Sequence, residues 1–440
     1  MKPVYIVSWL FALAISFVSC DDWLDKTPKD RLYPDVYFKT EDELRLFTNQ
    51  FYNNLVPSAV DIYSESSDLI VKSDLMLEMS GQRIIPDEGN GWNFTALRDI
   101  NFYLQYSHNC TEVNARNRYD GVARFFRAYF YFEKVKRYGD IPWYDKALDS
   151  DDPELYKARD SREFVMQKML EDLDFAIANL PKTKNAYVLT RWTALALKSR
   201  VCLFEGTFRK YHGLEDCEKY LNACVSASET FMNESGYTLY KSGSTPYRDL
   251  FASINLQADE VIFGRDYEAS LSVLHNVQNY ENSTTMGRPG MNKKIVNSYL
   301  MADGSRFTDK AGYETMTFDQ ECQNRDPRLA QTIRTPGYTR IGSTKKEAPN
   351  LAYTMTGYHL IKYSMTANYD EYNKSCNDIP LFRTAEVYLN FAEAKAELGT
   401  LKQADINKSI KLLRDRVGMT NLDMELANSN PDPYLMSAAT

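Results

Sequence analysis

Short motifs typical of common enzymes are absent from this sequence. The chain contains no GxSxG, HExxH, GxGxxG or P-loop pattern, which in known classes position a nucleophilic serine, a zinc ion or a bound phosphate. The four histidines are scattered along the chain, and we expect each to be structural: His108, His212, His275 and His359. We therefore predict a binding protein and not an enzyme.

Glycosidase chemistry stays open, because it requires only two suitably placed carboxylates and the chain has 60 Asp and Glu residues. The acidic run from Asp149 to Asp152 resembles a calcium loop only superficially, since the glycine and the terminal glutamate of an EF-hand are missing. We interpret that run as a solvated loop. No metal and no cofactor are expected.

An excess of positive charge is also absent. The net charge is −8, with 52 Lys and Arg against 60 Asp and Glu. Proteins that bind nucleic acid need clustered basic residues to neutralise phosphates. The composition therefore argues against a nucleic-acid partner.

Cysteine pairs with metal-type spacing are missing as well. Seven cysteines are present and none forms a CxxC pair. Cys217 and Cys224 lie two turns apart on one predicted helix, a rise of about 10 Å that exceeds the reach of a disulfide. We expect most of the thiols to be small buried side chains.

The N-terminus has the features of a targeting segment. Lys2 is followed by an apolar run from Val4 to Val18, which is shorter than the roughly 20 residues needed to cross a bilayer and fits a secretory signal. The run ends in FVSC, which resembles a bacterial lipobox. We predict a lipoprotein signal peptide at residues 1–19 and lipid attachment at Cys20, the alternative being an ordinary signal peptide cleaved nearby.

The stretch from Gly121 to Lys146 predicts a long buried helix. Its apolar residues recur mostly three and four apart, on one stripe: Val122, Phe125, Phe126, Tyr129, Phe130, Val135 and Tyr138. Arg127 is among the charged residues expected off that stripe. Gly139 and Pro142 are expected to end the helix.

Capping and stop signals predict further helices. The first begins at a capping box at Thr40–Glu43, and the second covers 92–106. The next two run from Ser161 to Pro181 and over 191–205, the latter with a stop at Gly206. The last three cover 214–232, 381–398 and 404–417. Residues 57–91 and 236–379 are poor in periodicity and rich in loop-forming residues. Short strands are expected in the second of these regions, one of them at 260–264.

Several segments, in the expected order, resemble the SusD/RagB family of Bacteroidetes outer-membrane lipoproteins. They are CDDWLDKTPKD (20–30), RFFRAYFYFEKVKRYGDIPW (124–143), FVMQKMLEDLDFAIANLP (164–181), RWTALALKSRVCLFEG (191–206), ADEVIFGRDY (258–267), NRDPRL (324–329) and RTAEVYLNFAEAKAELG (383–399). The resemblance implies a mainly α fold, with a TPR-like scaffold of about four helix pairs and a loop-rich, strand-poor second part. It divides the mature chain into an N-terminal SusD-like helical region at 20–235 and a loop-rich region at 236–440 that ends in a TPR-like helix pair.

The resemblance also implies a function. Members of the family capture nutrients at the cell surface and deliver them to a SusC-like TonB-dependent transporter. The expected ligand is an oligosaccharide, the expected location is the outer membrane, and the only expected membrane contact is the lipid anchor. A member that captures peptides or glycopeptides is the alternative, and a surface glycosidase is a more distant one.

The C-terminal end departs from the family pattern. Members continue beyond the helix that ends near Arg416 into a segment rich in basic, acidic and aromatic residues. Here a polar tail, NSNPDPYLMSAAT, leads to Thr440. We expect either a divergent or a truncated C-terminus.

A glycan binder needs flat aromatic faces and short polar side chains, placed on loops. The regions 57–91 and 265–290 supply both. The candidate glycan-binding residues are Tyr63, Trp92, Asn93, Tyr267, Tyr280, Asn282 and Arg288.

Overall fold

The structure is a computed structural model that describes residues 37–63, 67–86, 89 and 91–437. The helices are α1 (Glu41–Leu55), α2 (Val60–Tyr63), α3 (Leu77–Ser80), α4 (Thr95–Tyr106), α5 (Val113–Tyr138), α6 (Arg162–Asn179), α7 (Arg191–Tyr211), α8 (Cys217–Glu234), α9 (Pro246–Ala252), α10 (Val277–Asn282), α11 (Lys293–Ser298), α12 (Phe318–Glu321), α13 (Thr384–Glu397), α14 (Gln403–Asn407), α15 (Ile410–Asp415), α16 (Met424–Ser429) and α17 (Pro433–Ser437). The strands are β1 (Ile70–Val71), β2 (Val261–Arg265), β3 (Gly290–Met291) and β4 (Ile379–Arg383). The predicted signal peptide and Cys20 lie outside the described residues.

The scaffold consists of helices packed in pairs. α1 packs with α4, α5 with α6, α7 with α8, and α13 with the α14–α15 segment. Neighbouring pairs meet through α1 and α5, α6 and α7, and α8 and α13. This arrangement confirms the predicted TPR-like scaffold of about four helix pairs. The predicted capping box at Thr40 and Glu43 opens α1.

α5 is the central helix of the main core. Phe125, Phe126 and Val135 are buried in it, each worth about 1.5–3 kcal/mol in transfer free energy. Gly139 follows with a φ of +71° and ends the helix, as predicted. The predicted aromatic helix is therefore confirmed.

Arg127 is a charged residue of α5 that the protein buries. Its side chain is buried, and Nε and Nη2 donate to the two carboxylate oxygens of Asp172 on α6 at 2.6 and 2.7 Å. Its Nη1 also donates to Asn101 Oδ1 at 3.3 Å. Helices cover more than one side of α5, and an arginine is tolerated there because a carboxylate and an amide match its donors.

α7 corrects the prediction of a helix that stops at Gly206. It continues to Tyr211 and does not stop at Gly206. A β-carbon on Gly206 would lie 2.7 Å from the side chain of Leu221 on α8. The glycine serves close helix packing and not helix termination.

The start of α13 corrects the prediction of a helix that begins at residue 381. Residues 381–383 belong to β4, which pairs antiparallel with β2 so that Val261 lies opposite Arg383 and Arg265 opposite Ile379. The hydrogen bonds of β2 override the helical pattern of that segment. β2 itself confirms the strand predicted around 260–264, and Gly399 ends α13 with a φ of +68°.

The last predicted helix, 404–417, is interrupted. Ser409 has φ −134° and ψ −88° between α14 and α15, and its hydroxyl donates to the carbonyl oxygen of Asp405 at 2.6 Å. Such a bond from a side chain to the backbone competes with helix geometry. The rest of 236–379 is loop-rich with short elements, as predicted.

Candidate functional site

The two predicted loop regions lie against each other. β1, in the first region, pairs antiparallel with β3, so that Ile70 lies opposite Met291. The backbone N–H of Ser73 donates to the carbonyl oxygen of Gly287 at 2.8 Å. Residues far apart in sequence are thereby joined into the two walls of one cleft.

This cleft has a volume of about 470 Å³, which lies within the range of small-ligand sites. Residues of 57–62 and 67–70 form one wall, and α10 and residues of 291–299, 360–363 and 379–381 form the others. Tyr247, Tyr280, Tyr299 and Tyr363 line it. We call it the tyrosine cleft.

Tyr63 extends the aromatic surface of the cleft. Its ring centroid lies 5.9 Å from that of Tyr280, with the planes tilted by 47°. Tyr63 is half-buried, as are Tyr247, Tyr299 and Tyr363, whereas Tyr280 is buried. Partly exposed tyrosines offer a flat apolar face together with a polar tip.

Two buried histidines hold α10, which carries Tyr280. His275 accepts the N–H of Val277 at Nδ1 (3.2 Å) and donates from Nε2 to the carbonyl oxygen of Asn377 (2.8 Å). His359 accepts the N–H of Asn350 at Nδ1 (3.2 Å) and donates from Nε2 to the carbonyl oxygen of Glu281 (2.8 Å). With one nitrogen accepting and the other donating, each imidazole forms both hydrogen bonds as a neutral ring.

Burial keeps these imidazoles neutral. It lowers the pKa of His275 to about 4 and, together with the nearby charge of Arg334, the pKa of His359 to about 3. Both act as structural residues, in agreement with the sequence prediction. His108 and His212 likewise contact backbone carbonyl oxygens of their own helical turns, those of Gln105 and Phe208.

Glu281 brings a fully buried carboxyl group to the cleft. Its oxygens accept the N–H of Tyr363 at 3.1 Å and the hydroxyl of Ser364 at 2.8 Å. Burial raises the pKa of Glu281 to about 7, in spite of those two hydrogen bonds and the charges of Arg340 and Arg248. Near neutral pH this group is divided between its two protonation states.

Lys362 and Tyr247 form a positively charged corner of the cleft. Lys362 Nζ lies 4.2 Å from the ring centroid of Phe251 and 5.5 Å from that of Tyr247. Burial acts to raise the pKa of Tyr247, but the charges of Lys362, Arg383 and Arg416 outweigh it, so this pKa lies below its ordinary value. A hydrogen bond with Lys362 lowers this pKa as well.

Three candidate residues have side chains committed to the protein itself. The Tyr267 hydroxyl accepts the N–H of Ala59 at 2.8 Å. The Asn282 carbonyl accepts from Arg334 at 2.6 Å and its amide donates to Ser364 at 2.9 Å. The Arg288 guanidinium donates to two backbone carbonyl oxygens, at residues 351 and 352.

Trp92 lines a different groove, of about 350 Å³, which shares no lining residue with the tyrosine cleft. Trp92 is 40% exposed and packs edge-to-face on Phe94 and Tyr138, at 5.3 and 5.0 Å. Asn93 Oδ1 accepts the N–H of Thr95 at the start of α4. Of the seven candidate residues, the described contacts bring Tyr63 and Tyr280 together at the tyrosine cleft.

Comparison with known proteins gives two matches to family models. The model of the SusD family matches residues 250–437, and a SusD-like model described as "starch-binding associating with outer membrane" matches residues 82–191. The chain is SusD-like. The SusD-like fold predicted from the sequence is thereby confirmed.

Relatives of this SusD-like chain match along most of its length. SusD-like proteins P2 and P25 of Formosa agariphila are 25% and 21% identical, over 94% and 97% of this chain and 82% and 84% of their own. A SusD-like protein of Bacteroides fragilis, 21% identical, superposes with a TM-score of 0.70 over 94% of this chain and 85% of its own. A SusD-like carbohydrate-binding protein of the same species, 18% identical, gives 0.71 over 88% and 80%. The structural matches show a common fold.

Sequence reasoning missed four residues of the cleft in this SusD-like chain: Tyr247, Tyr299, Lys362 and Tyr363. They lie outside the two regions that were selected for their loop character. No helical or alternating pattern marks their positions. They meet because α9, α11 and the segment before β4 converge on α10, and this long-range packing has no local sequence signal.

The described part of this SusD-like chain lacks a metal-type cluster, a disulfide and a membrane-spanning helix. No group of three or more His, Cys, Asp or Glu side chains suited to a metal ion occurs there. The cysteines of that part form no disulfide with one another: Cys110, Cys202, Cys217, Cys224, Cys322 and Cys376. Among those residues no helix is both long and apolar enough to span a bilayer.

Proposed function

We propose that this protein binds oligosaccharides in the tyrosine cleft and passes them to a TonB-dependent transporter of the outer membrane. The tyrosine cleft is the observation that carries the proposal. It joins both predicted loop regions, has the volume of a small-ligand site, and presents several partly exposed tyrosine rings. The family supports the ligand class, since one structural neighbour is described as carbohydrate-binding.

The binding step uses the shape of a sugar ring. The C–H face of the sugar packs on the half-buried ring of Tyr63, beside the buried Tyr280, while its hydroxyls bond to phenol and backbone groups of the cleft. Tyr267, Asn282 and Arg288 act as positioning residues, because their polar atoms hold the walls. No covalent step is required.

The delivery step depends on location. A lipid on Cys20 would anchor the protein to the outer membrane, with several acyl chains giving stable attachment. The bound protein would then lie over a SusC-like transporter as its lid. Cell fractionation of Cys20→Ser, together with co-purification of the wild type with its transporter, tests these two parts.

Isothermal titration against panels of polysaccharides and peptides tests the ligand. We expect glycan binding that weakens about tenfold in Tyr63→Ala, about 1.4 kcal/mol, through loss of a stacking face. Tyr211→Ala is the matched control, because Tyr211 is an exposed tyrosine on α7. It should bind like the wild type.

Other outcomes would replace the proposal. Tight peptide binding without glycan binding would make the protein a peptide-capturing member of the family. Turnover of a bound oligosaccharide, abolished by one carboxylate substitution, would make it a glycosidase. Full affinity in Tyr63→Ala with loss in Trp92→Ala would move the site to the Trp92 groove.

A further inference from the structure

The charged residues that line the tyrosine cleft differ in the partners that the protein gives them. Asp61 is exposed and accepts the N–H of Ser58 at 3.1 Å. Glu281 is buried and engaged by Tyr363 and Ser364. Lys362 forms no ion pair with any residue that the structure describes, although it lines the same cleft.

The surroundings of Lys362 add further positive charge. Arg383 and Arg416 both bond to one carboxylate, that of the buried Glu260, at 2.9 and 2.8 Å. One negative charge therefore serves two guanidinium groups, and Lys362 is a third cation near the same aromatic rings, Tyr247 and Phe251. The lowered pKa of Tyr247 agrees with this excess.

Such a corner favours an anion. A cation that is partly shielded from water gains more from a negatively charged ligand than an exposed one does. A phenol next to it donates a further charge-assisted hydrogen bond. The aromatic walls meanwhile suit the apolar face of a sugar ring.

We infer that the tyrosine cleft selects acidic oligosaccharides, and that Lys362 and the hydroxyl of Tyr247 bind the anionic group of one sugar unit. A uronic acid carboxylate and a sulfate ester share this chemistry. The inference rests on the proposed function and adds the substrate class and its recognition residue.

Matched pairs of glycans test the inference. The probes are oligogalacturonates with their neutral methyl esters and sulfated oligogalactans with their desulfated forms, within an array of neutral and acidic glycans. The wild type should bind the acidic member of a pair more tightly, and added salt should reduce that preference. Comparison of the two pairs separates carboxylate from sulfate recognition.

Substitutions at Lys362 locate the preference. Lys362→Gln should weaken binding of the acidic glycan by about ten- to a hundredfold, the range expected for a hydrogen bond to a charged group. Binding of neutral glycans should change by less than about twofold. Lys362→Arg should retain the preference, and thermal melting checks that each variant is folded.

Lys411→Gln is the control, because it removes one positive charge from α15, where Lys411 pairs with Asp415 at 2.6 Å. It should leave the preference intact. Binding of neutral glycans alone, or equal binding of acidic glycans by the wild type and Lys362→Gln, would overturn the inference and leave the proposed function standing. Failure to bind any glycan in the array would overturn both.

Discussion

Buried charges are arranged differently in the helical scaffold and around the tyrosine cleft. In the scaffold, Arg127 and Asp172 form a bidentate salt bridge between α5 and α6. Glu205 on α7 forms salt bridges with Arg162 and Arg209 at 2.6 and 2.7 Å. In the cleft, neither Glu281 nor Lys362 has an oppositely charged partner within salt-bridge distance among the described residues.

The difference separates two uses of charge. Paired groups fix helices relative to each other, since each partner satisfies the other in a region with little water. Charged groups without such partners, as in the cleft, can change protonation or bind a charged ligand. Stability should therefore depend on the scaffold pairs, and pH dependence and ligand choice on the cleft.

The largest effect on stability is expected at the scaffold pair. Asp172→Asn leaves the buried Arg127 without its counter-charge, and breaking one side of such a pair costs about 3–5 kcal/mol. Urea denaturation followed by circular dichroism measures the loss. Glu171→Gln is the control, since the neighbouring Glu171 is exposed and bonds to Lys168 and Gln167 of its own helix, so a change below about 1 kcal/mol is expected. Equal effects of the two substitutions would contradict the comparison.

The scaffold was largely predictable from the sequence. Helical spacing and caps located most of its helices, because apolar periodicity and capping are local properties. The errors fall where tertiary contacts decide. Gly206 continues a helix because Leu221 needs its space, and residues 381–383 form β4 because β2 requires a partner.

The cleft was predictable only as two regions. Loop character indicated 57–91 and 265–290, and the structure joins them at β1 and β3. The individual candidates were less specific, because exposure is decided by packing. Tyr267 and Asn282 were candidates but are buried. Lys362 was not a candidate, because a single lysine forms no sequence pattern. The role of each residue as a ligand contact stays a prediction.

A smaller, pH-dependent effect is expected at Glu281. Its pKa is raised from 4.5 to about 7 in the folded protein, so its contribution to stability is fully present below about pH 4.5 and is lost as the pH rises through 7. Linkage puts this change on the order of 3 kcal/mol. Glu281→Gln should remove it, so wild type and variant should diverge in stability between pH 5 and pH 8, with the wild type losing ground at the higher pH.

Denaturant midpoints at one-unit pH intervals measure this divergence. The buried histidines contribute the opposite slope, because their lowered pKa values make folding less favourable as the pH falls below 6.5. That slope is common to both proteins and cancels in their difference. Glu371→Gln, at an exposed position in the loop before β4, should run parallel to the wild type. Parallel curves for Glu281→Gln would instead show that its carboxyl titrates normally.

The smallest effect is expected at two glycines inside scaffold helices, where no charge is involved. In Gly206→Ala the new β-carbon would lie 2.7 Å from the Leu221 side chain and 3.1 Å from its backbone nitrogen. Overpacking of this kind costs about 1–3 kcal/mol, and the better helix propensity of alanine returns about 1 kcal/mol. A net loss of up to about 2 kcal/mol in the free energy of unfolding follows.

Gly121→Ala on α5 is the matched substitution. Its β-carbon would lie 3.4 Å from the Leu180 side chain, an ordinary contact, so only the gain in helix propensity applies. This variant should be unchanged or up to about 1 kcal/mol more stable. Opposite signs for the two variants, measured by thermal melting, would show that α7 and α8 meet at backbone distance through Gly206. Equal signs would mean that Leu221 moves aside, and that the contact between these helices is looser than the contact between α5 and α6.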